Sequence, residues 1–332
     1  KLCMRVLDAA VIVVSAVSGV KVGTEKVWQY ANEFSIPVCI FINKLDRERA
    51  DFERTVEDVQ KNFTDTNPLV IQFPMCKEES LRGVVDLLSM KAYVYKDDGS
   101  GSFDRIDIPS EFQAEANKYR EKLVEIAVEM DDEVMERYLN GDEIKEEEIE
   151  KCLKDGIWTR RIAPIMCGSA AKNIGINTLL DNIVRCFPPP TYKNEVEGLD
   201  PKTGNTLKRK IKSDEPFSAF VFKTITDPFA GKLTLFKIYS GEIHPDMTVL
   251  NVSKDEKERI GQIFFLVGKK QKSAGFASAG DIAVLSKLKD VGTGDTLCDE
   301  KNPIKYKEVS ISQPVISFSL QPKAKGDEDK LN

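Results

Sequence analysis

The apolar positions of this 332-residue chain change period twice along its length. Near the start, Ala9 to Ala16 (AAVIVVSA) and Val38-Cys-Ile-Phe-Ile42 run with almost no polar interruption. That is the pattern of strands buried on both faces of a parallel sheet. Between and after them, Val22, Val27, Ala31 and Phe34, then Phe52, Val56, Val59 and Phe63, recur at helical spacing. The order strand, helix, strand, helix predicts a right-handed parallel α/β unit.

From Pro68 to about Gly156 that pattern breaks. Strand-like runs at Leu69–Phe73, Gly83–Leu87 and Ala92–Tyr95 precede a loop from Lys96 to Phe103. One long charged helix is expected from about Ser110 to Tyr138, then the acidic run Glu143–Glu150. These features predict a subdomain inserted into the α/β domain. The acidic run reads as an interaction surface or, in preference, as the solvated face of a helix. The α/β pattern resumes at Ile162-Ala-Pro-Ile-Met-Cys167 and continues as a helix through Leu179, Leu180, Ile183 and Val184. Pro188-Pro189-Pro190 ends that helix and begins a stiff linker.

Residues 191–213 are polar, with the basic stretch Lys208-Arg-Lys210, and read as a connection between domains. From Glu215 the period falls to two. Phe217–Thr226, Leu233–Tyr239, Thr248–Val252, Arg259–Val267, Ile282–Leu285 and Asp295–Cys298 predict a closed antiparallel β-barrel. Val315–Leu320 starts a further alternating strand. The expected division is therefore 1–67 and 157–192 for the parallel α/β domain, with 68–156 inserted as an α+β subdomain. Beyond these come a linker at 193–213, a barrel at 214–309 and the start of a third domain at 310–332.

Composition narrows the function. Hydrophobic residues make up 41% and charged residues 31%, enough for a folded core. No apolar run approaches the ~20 residues a membrane helix needs, and no secretory signal is visible. The net charge of −6 argues against non-specific nucleic-acid binding, while leaving room for a local basic patch. Lys269, Lys270 and Lys272 crowd one loop, where they suit either a phosphate contact or a solvated hairpin tip. Seven scattered cysteines without a C-x-x-C spacing read as reduced, cytoplasmic thiols rather than zinc ligands. The one histidine, His244, falls in the turn expected at Gly241–Pro245 and is not assigned a catalytic role.

The chemistry is concentrated at two strand ends. Pro37 opens a strand that stops abruptly in Asn43-Lys44-Leu45-Asp46, and the strand Ile162–Cys167 stops in Gly168-Ser169-Ala170-Ala171-Lys172. Parallel neighbours put both loops at one carboxyl edge, where open α/β sheets bind ligands. An Asp46 carboxylate can accept from two adjacent N–H groups of a guanine edge, a pair that adenine does not offer. The Asn43 amide can donate to a ring nitrogen or brace the neighbouring loops. The stem of Lys44 can lie along the ring, the Ala170 N–H can reach a ring carbonyl oxygen, Ser169 can orient Asp46, and Lys172 can close the other ring face. A polar turn after a core strand would look the same if either loop stood alone.

Both loops resemble motifs of translation elongation factor G: Asn43-Lys-Leu-Asp46 its fourth GTPase motif, Gly168-Ser-Ala170 its fifth. The likeness extends through Arg5-Val-Leu-Asp-Ala-Ala10 and, in the second domain, Asp227–Leu233, Tyr239-Ser-Gly241 and Gly294-Asp-Thr-Leu297. It reaches Pro314-Val-Ile316 and Gln321-Pro-Lys323. The resemblance implies a GTPase that binds GTP and GDP, acts on the ribosome and drives tRNA–mRNA translocation. It further implies a cytoplasmic monomer, with Mg²⁺ in the intact protein. Alternatives are a recycling or tetracycline-protection paralogue, or a non-catalytic ribosome-binding module.

The family's phosphate cradle, Gly-x4-Gly-Lys-[Ser/Thr], is not matched at Gly231-Lys232 or Gly268-Lys269, the only Gly-Lys pairs. Asp98-Gly-Ser-Gly101 has the form Asp-x-x-Gly but comes after Asn43–Asp46 instead of before it, and reads as a loop. The expectation is an internal piece of a longer protein, inactive alone, whose phosphate and metal motifs lie upstream. The strand Ala9–Ser15 should then have a neighbour on its outer side.

Overall fold

A computed structural model describes residues 1–77, 80–227, 231–268, 270–286, 288–308, 316–319 and 321. Strands β1 (Ala10–Ser15) and β2 (Val38–Asn43) pair in parallel, from Ala10 opposite Val38 to Ser15 opposite Asn43. Between them, α1 (Val22–Glu33) buries Trp28 and Ala31. In α2 (Phe52–Asn62) the apolar stripe Phe52, Val56 and Val59 faces inward, and the Asp51 carboxylate accepts from the Arg54 N–H at 3.0 Å. That N-cap satisfies one of the first-turn donors a helix leaves unpaired. Trp28 stacks on Phe63 with ring centroids 4.1 Å apart, joining α1 to the end of α2.

After β3 (Asn67–Val70) comes the insertion, an antiparallel meander of β4 (Gln72–Lys77), β5 (Ser80–Asp86), β6 (Lys91–Tyr95) and β7 (Phe103–Ile106). Three helices complete it: α3 (Ser110–Val128), α4 (Asp132–Leu139) and α5 (Glu146–Trp158). The single long helix expected from Ser110 to Tyr138 is therefore broken. At the break Asp131 is extended (φ −140°), and its carboxylate accepts from the N–H groups of Glu133 and Val134. An N-cap aspartate hidden in an acidic run gives little sequence contrast. The acidic run itself opens α5: Glu146, Glu147 and Glu148 occupy its first turn, where negative charge suits the helix dipole. Ile149, Cys152, Leu153 and Ile157 face the core, so the run is mainly a helix start and its wet side.

The chain then returns through β8 (Ile162–Cys167), in which every residue is buried, and α6 (Ile176–Cys186). The parallel sheet has the order β1-β2-β8-β3. Thus the run at Leu69, expected to begin the insertion, starts inside the parallel sheet: Asn67–Val70 pairs with Ile162–Ile165. The passage from one sheet to the next falls at Ile71, in mid apolar run. β1 is an edge strand and leaves Val13 57% exposed, the apolar side for which the sequence predicts a neighbour.

The expected linker is also more ordered than its composition suggested. Within it, β9 (Glu195–Leu199) and β10 (Thr206–Lys210) form an antiparallel hairpin. Only Val196 and Leu207 of the hairpin pack on a core, while Lys208 lies near both Glu195 and Glu197, so strands this short and charged give only a faint period-two signal.

The second domain comprises β11 (Ser218–Asp227), β12 (Gly231–Ser240), β13 (Glu242–Ile243), β14 (Thr248–Asn251) and β15 (Glu256–Arg259). It continues with β16 (Ile263–Val267), β17 (Lys270–Ala274), β18 (Ala277–Ser278), β19 (Ile282–Ser286) and β20 (Thr296–Cys298). Eight of these strands form one antiparallel sheet, in the order β15-β14-β20-β11-β12-β19-β16-β17, around a shared core that includes Phe217, Phe236, Ile238, Ile263 and Leu297. The run expected as one strand at Arg259–Val267 splits into β15 and β16. Lys270 and Lys272 lie on β17, while Lys269 lies outside the described residues. The expected third-domain start, 310–332, is mostly outside them too, and residues 316–319 carry no strand pairing.

A second apolar cluster joins the domains: Val6 packs with Phe220, Phe222, Tyr239 and Tyr306. Beside it the buried Lys237 ammonium on β12 reaches Asp8. Among the described residues no helix is long and apolar enough to cross a membrane.

Candidate functional site

β2 and β8 are neighbours in register, Ile40 with Ile165 and Ile42 with Cys167, so their carboxyl ends share one edge. Directly beyond that register the two loops are sewn together. The Gly168 N–H donates to the Ile42 carbonyl at 3.0 Å, and the Leu45 N–H to the Gly168 carbonyl at 3.3 Å. The Asn43 Oδ1 accepts from the Ala170 N–H at 2.9 Å and from the Lys44 N–H at 2.7 Å. The Ser169 hydroxyl donates to Asp46 Oδ1 at 2.6 Å and accepts from the Lys172 N–H at 3.2 Å.

Local sequence explains these turns. Lys44 adopts a left-handed conformation (φ 70°), which turns the chain sharply off β2, and Leu45 is buried beneath it. At Gly168 a Cβ would stand 2.2 Å from the Ile174 carbonyl oxygen, so only glycine lets the loop close on itself. That closure is the reciprocal backbone pair between Ser169 and Ile174. Ser169 is fully buried, and the Asp46 side chain is only 10% exposed.

All eight expected site residues, Asn43, Lys44, Leu45, Asp46, Gly168, Ser169, Ala170 and Lys172, thus stand on two adjoining loops. Two differ in detail from expectation. The Ala170 N–H, expected to face a ring carbonyl, donates to Asn43. The Asn43 amide accordingly braces the loops, the second of its two anticipated roles. The Lys172 ammonium, expected over the site, pairs with Asp97 of the insertion at 3.1 Å. Sequence reasoning also passed over Asn173, whose Nδ2 donates to the Ser100 carbonyl at 3.1 Å. No local pattern announces contacts made across more than seventy positions.

Chemically, the pair of loops presents a nearly buried, acceptor-only carboxylate with one oxygen held by Ser169. Its Oδ2 has Arg47 Nε at 3.5 Å, leaving capacity for outside N–H donors. A donor-rich planar edge is complementary to that set. Among the described residues no group of three or more potential ligands is placed to hold a metal ion. Burial pushes the thiols of Cys39 and Cys167 up, which keeps both in the neutral form of packing residues. His244 lies 3.4 Å from Glu242 and stacks on Phe276, in the second domain.

Comparison with known proteins agrees with this architecture. Residues 2–189 match the elongation factor Tu GTP binding domain, and residues 216–300 match elongation factor G domain 2. The first match covers more than half the chain, which belongs to the family defined by the elongation factor Tu GTP binding domain. Its second domain is similar to elongation factor G domain 2. A crystal structure of a Thermus thermophilus protein superposes with a TM-score of 0.84 at 26% identity, over 99% of this chain and 46% of that one. The chain thus spans just under half the length of that relative.

Proposed function

We propose that the loops at 43–46 and 168–172 form the base pocket of a GTP- and GDP-binding translational GTPase of the elongation factor G type. The observation that carries this reading is the Ser169–Asp46 hydrogen bond at 2.6 Å, which aims a carboxylate from one strand end using a hydroxyl from the next. In the proposal Asp46 takes the paired N–H groups of guanine, and the stem of Lys44 covers a ring face. Asn43 and Ala170 hold the two loops at a fixed separation, Gly168 and Leu45 shape them, and Lys172 stands at the rim.

The intact protein would hydrolyse GTP on the ribosome and couple that to tRNA–mRNA translocation, acting as a cytoplasmic monomer. The matches to the elongation factor Tu GTP binding domain and to elongation factor G domain 2 support a translational GTPase over a non-catalytic module. Phosphate binding, Mg²⁺ and the catalytic water belong, in this proposal, to chain outside these residues, so residues 1–332 alone turn over no GTP. Titrating the full-length protein with GDP and ADP tests the base reading. Tight GDP binding with ADP at least about 100-fold weaker is expected from a site that rejects the wrong edge by leaving Asp46 unpaired. Equal affinities contradict it.

A further inference from the structure

The segment from Cys167 to Thr178 carries half of the proposed base pocket, and the insertion grips it both at its ends and in its middle. At its ends the fully buried Gln72 accepts from the Cys167 N–H at 3.3 Å and donates to the Thr178 hydroxyl at 2.8 Å. The Tyr95 hydroxyl donates to Asn177 Oδ1. In its middle, Lys172 pairs with Asp97 at 3.1 Å and Asn173 donates to the Ser100 carbonyl at 3.1 Å. Gly101 lies so close that a Cβ there would stand 2.4 Å from Asn173 Nδ2.

The gripping loop, between β6 and β7, is internally braced. Asp98 accepts from the Ser100 N–H at 2.9 Å, Ser100 Oγ accepts from the Ser102 N–H at 3.1 Å, and the Lys96 N–H donates to the Ser102 carbonyl at 3.0 Å. The hydrogen bonds from Ser100 hold the Asp98 carboxyl below the usual range. Asp98-Gly-Ser-Gly101 is therefore a stiff hairpin tip leaning on the segment that holds Ser169 and Ala170.

We propose that this tip, through Asp97 and Ser100, positions Lys172 and Asn173 so as to set how slowly the site releases its guanine nucleotide. The inference rests on the guanine reading of the site. Gln72 and Tyr95 anchor the ends of the segment, so the contacts at the tip are the ones placed to bias its middle. A continuous chain of contacts of this kind passes a displacement of the insertion to the pocket. Asp97 and Lys172 are exposed, so their pair contributes modestly, and the Asn173 bond adds a similar amount. Loss of either contact is expected to speed release about 3- to 10-fold.

The experiment tracks release of a fluorescent GDP analogue from the full-length protein by stopped flow. The variants are Asp97→Asn, Asp97→Lys and Asn173→Ala. Asp97→Asn is isosteric at an exposed position, so folding is not at issue. Faster release in Asp97→Asn and Asn173→Ala, and faster still in Asp97→Lys, with association within about twofold of the parent, supports the proposal. Release within about twofold of the parent in either Asp97→Asn or Asn173→Ala overturns it. Asp46→Asn, assayed alongside, separates the two ideas. If it leaves base preference unchanged, the guanine reading fails. If it alters base preference while the loop variants are silent, only the role of the tip fails.

Discussion

The Ser169 hydroxyl and the Asp46 carboxylate, 123 positions apart, meet at 2.6 Å where two parallel strands end side by side. A hydroxyl that donates to a carboxylate fixes its plane, and an oriented carboxylate binds a planar edge better than a rotating one. Ser169→Ala should weaken GDP binding to the full-length protein about tenfold, since hydrogen bonds to charged groups contribute roughly 1.5–3 kcal/mol. Isothermal titration checks this. Unchanged affinity would mean that Asp46 is oriented by something else.

At the domain junction, Lys237 Nζ bonds both oxygens of Asp8, at 2.6 and 2.5 Å, and the Val6 carbonyl at 3.0 Å. The lysine side chain is 4% exposed and the aspartate 34%. Removing the anion strands a buried ammonium, whereas removing the cation leaves a carboxylate that water can reach. Asp8→Ala should therefore destabilise by about 2–3 kcal/mol, and Lys237→Met by less. Urea unfolding measures both, and the reverse order would contradict the assignment.

Glu150 on α5 ties the insertion to α6. A hydrogen bond from Arg185, opposed by partial burial and helped by Lys154, holds its carboxyl down to about 2. A depressed carboxyl adds stability above its ordinary value, near 4.5, and loses it as the pH falls toward 2. The partners are partly exposed, so the effect is at most about 1 kcal/mol. Glu150→Gln should lower the urea midpoint at pH 7, and the gap to the parent should close between about pH 4.5 and 2. A gap that persists through that window would show that the ion pair is not its source.

The parallel sheet and both site loops were legible because β2 and β8 contain unbroken apolar runs that stop at polar residues with distinct chemistry. The elements misread are those whose signal is local and faint. The helix break at Asp131 sits among acids, and the strands of the β9–β10 hairpin are short and charged. The change of sheet at Ile71 occurs inside a continuous apolar stretch. The contact of Asp97 with Lys172 spans 75 positions and joins two surface residues, so neither periodicity nor composition marks it. Burial writes itself into sequence; long-range polar pairing does not.

The central claim is that Asp46 reads guanine, and nucleotide competition on the full-length Asp46→Asn protein tests it most directly. An asparagine can donate where aspartate only accepts, so guanine affinity should fall by at least about 100-fold and xanthine nucleotides should become the preferred ligands. Retention of the parent's guanine preference by Asp46→Asn would contradict the account.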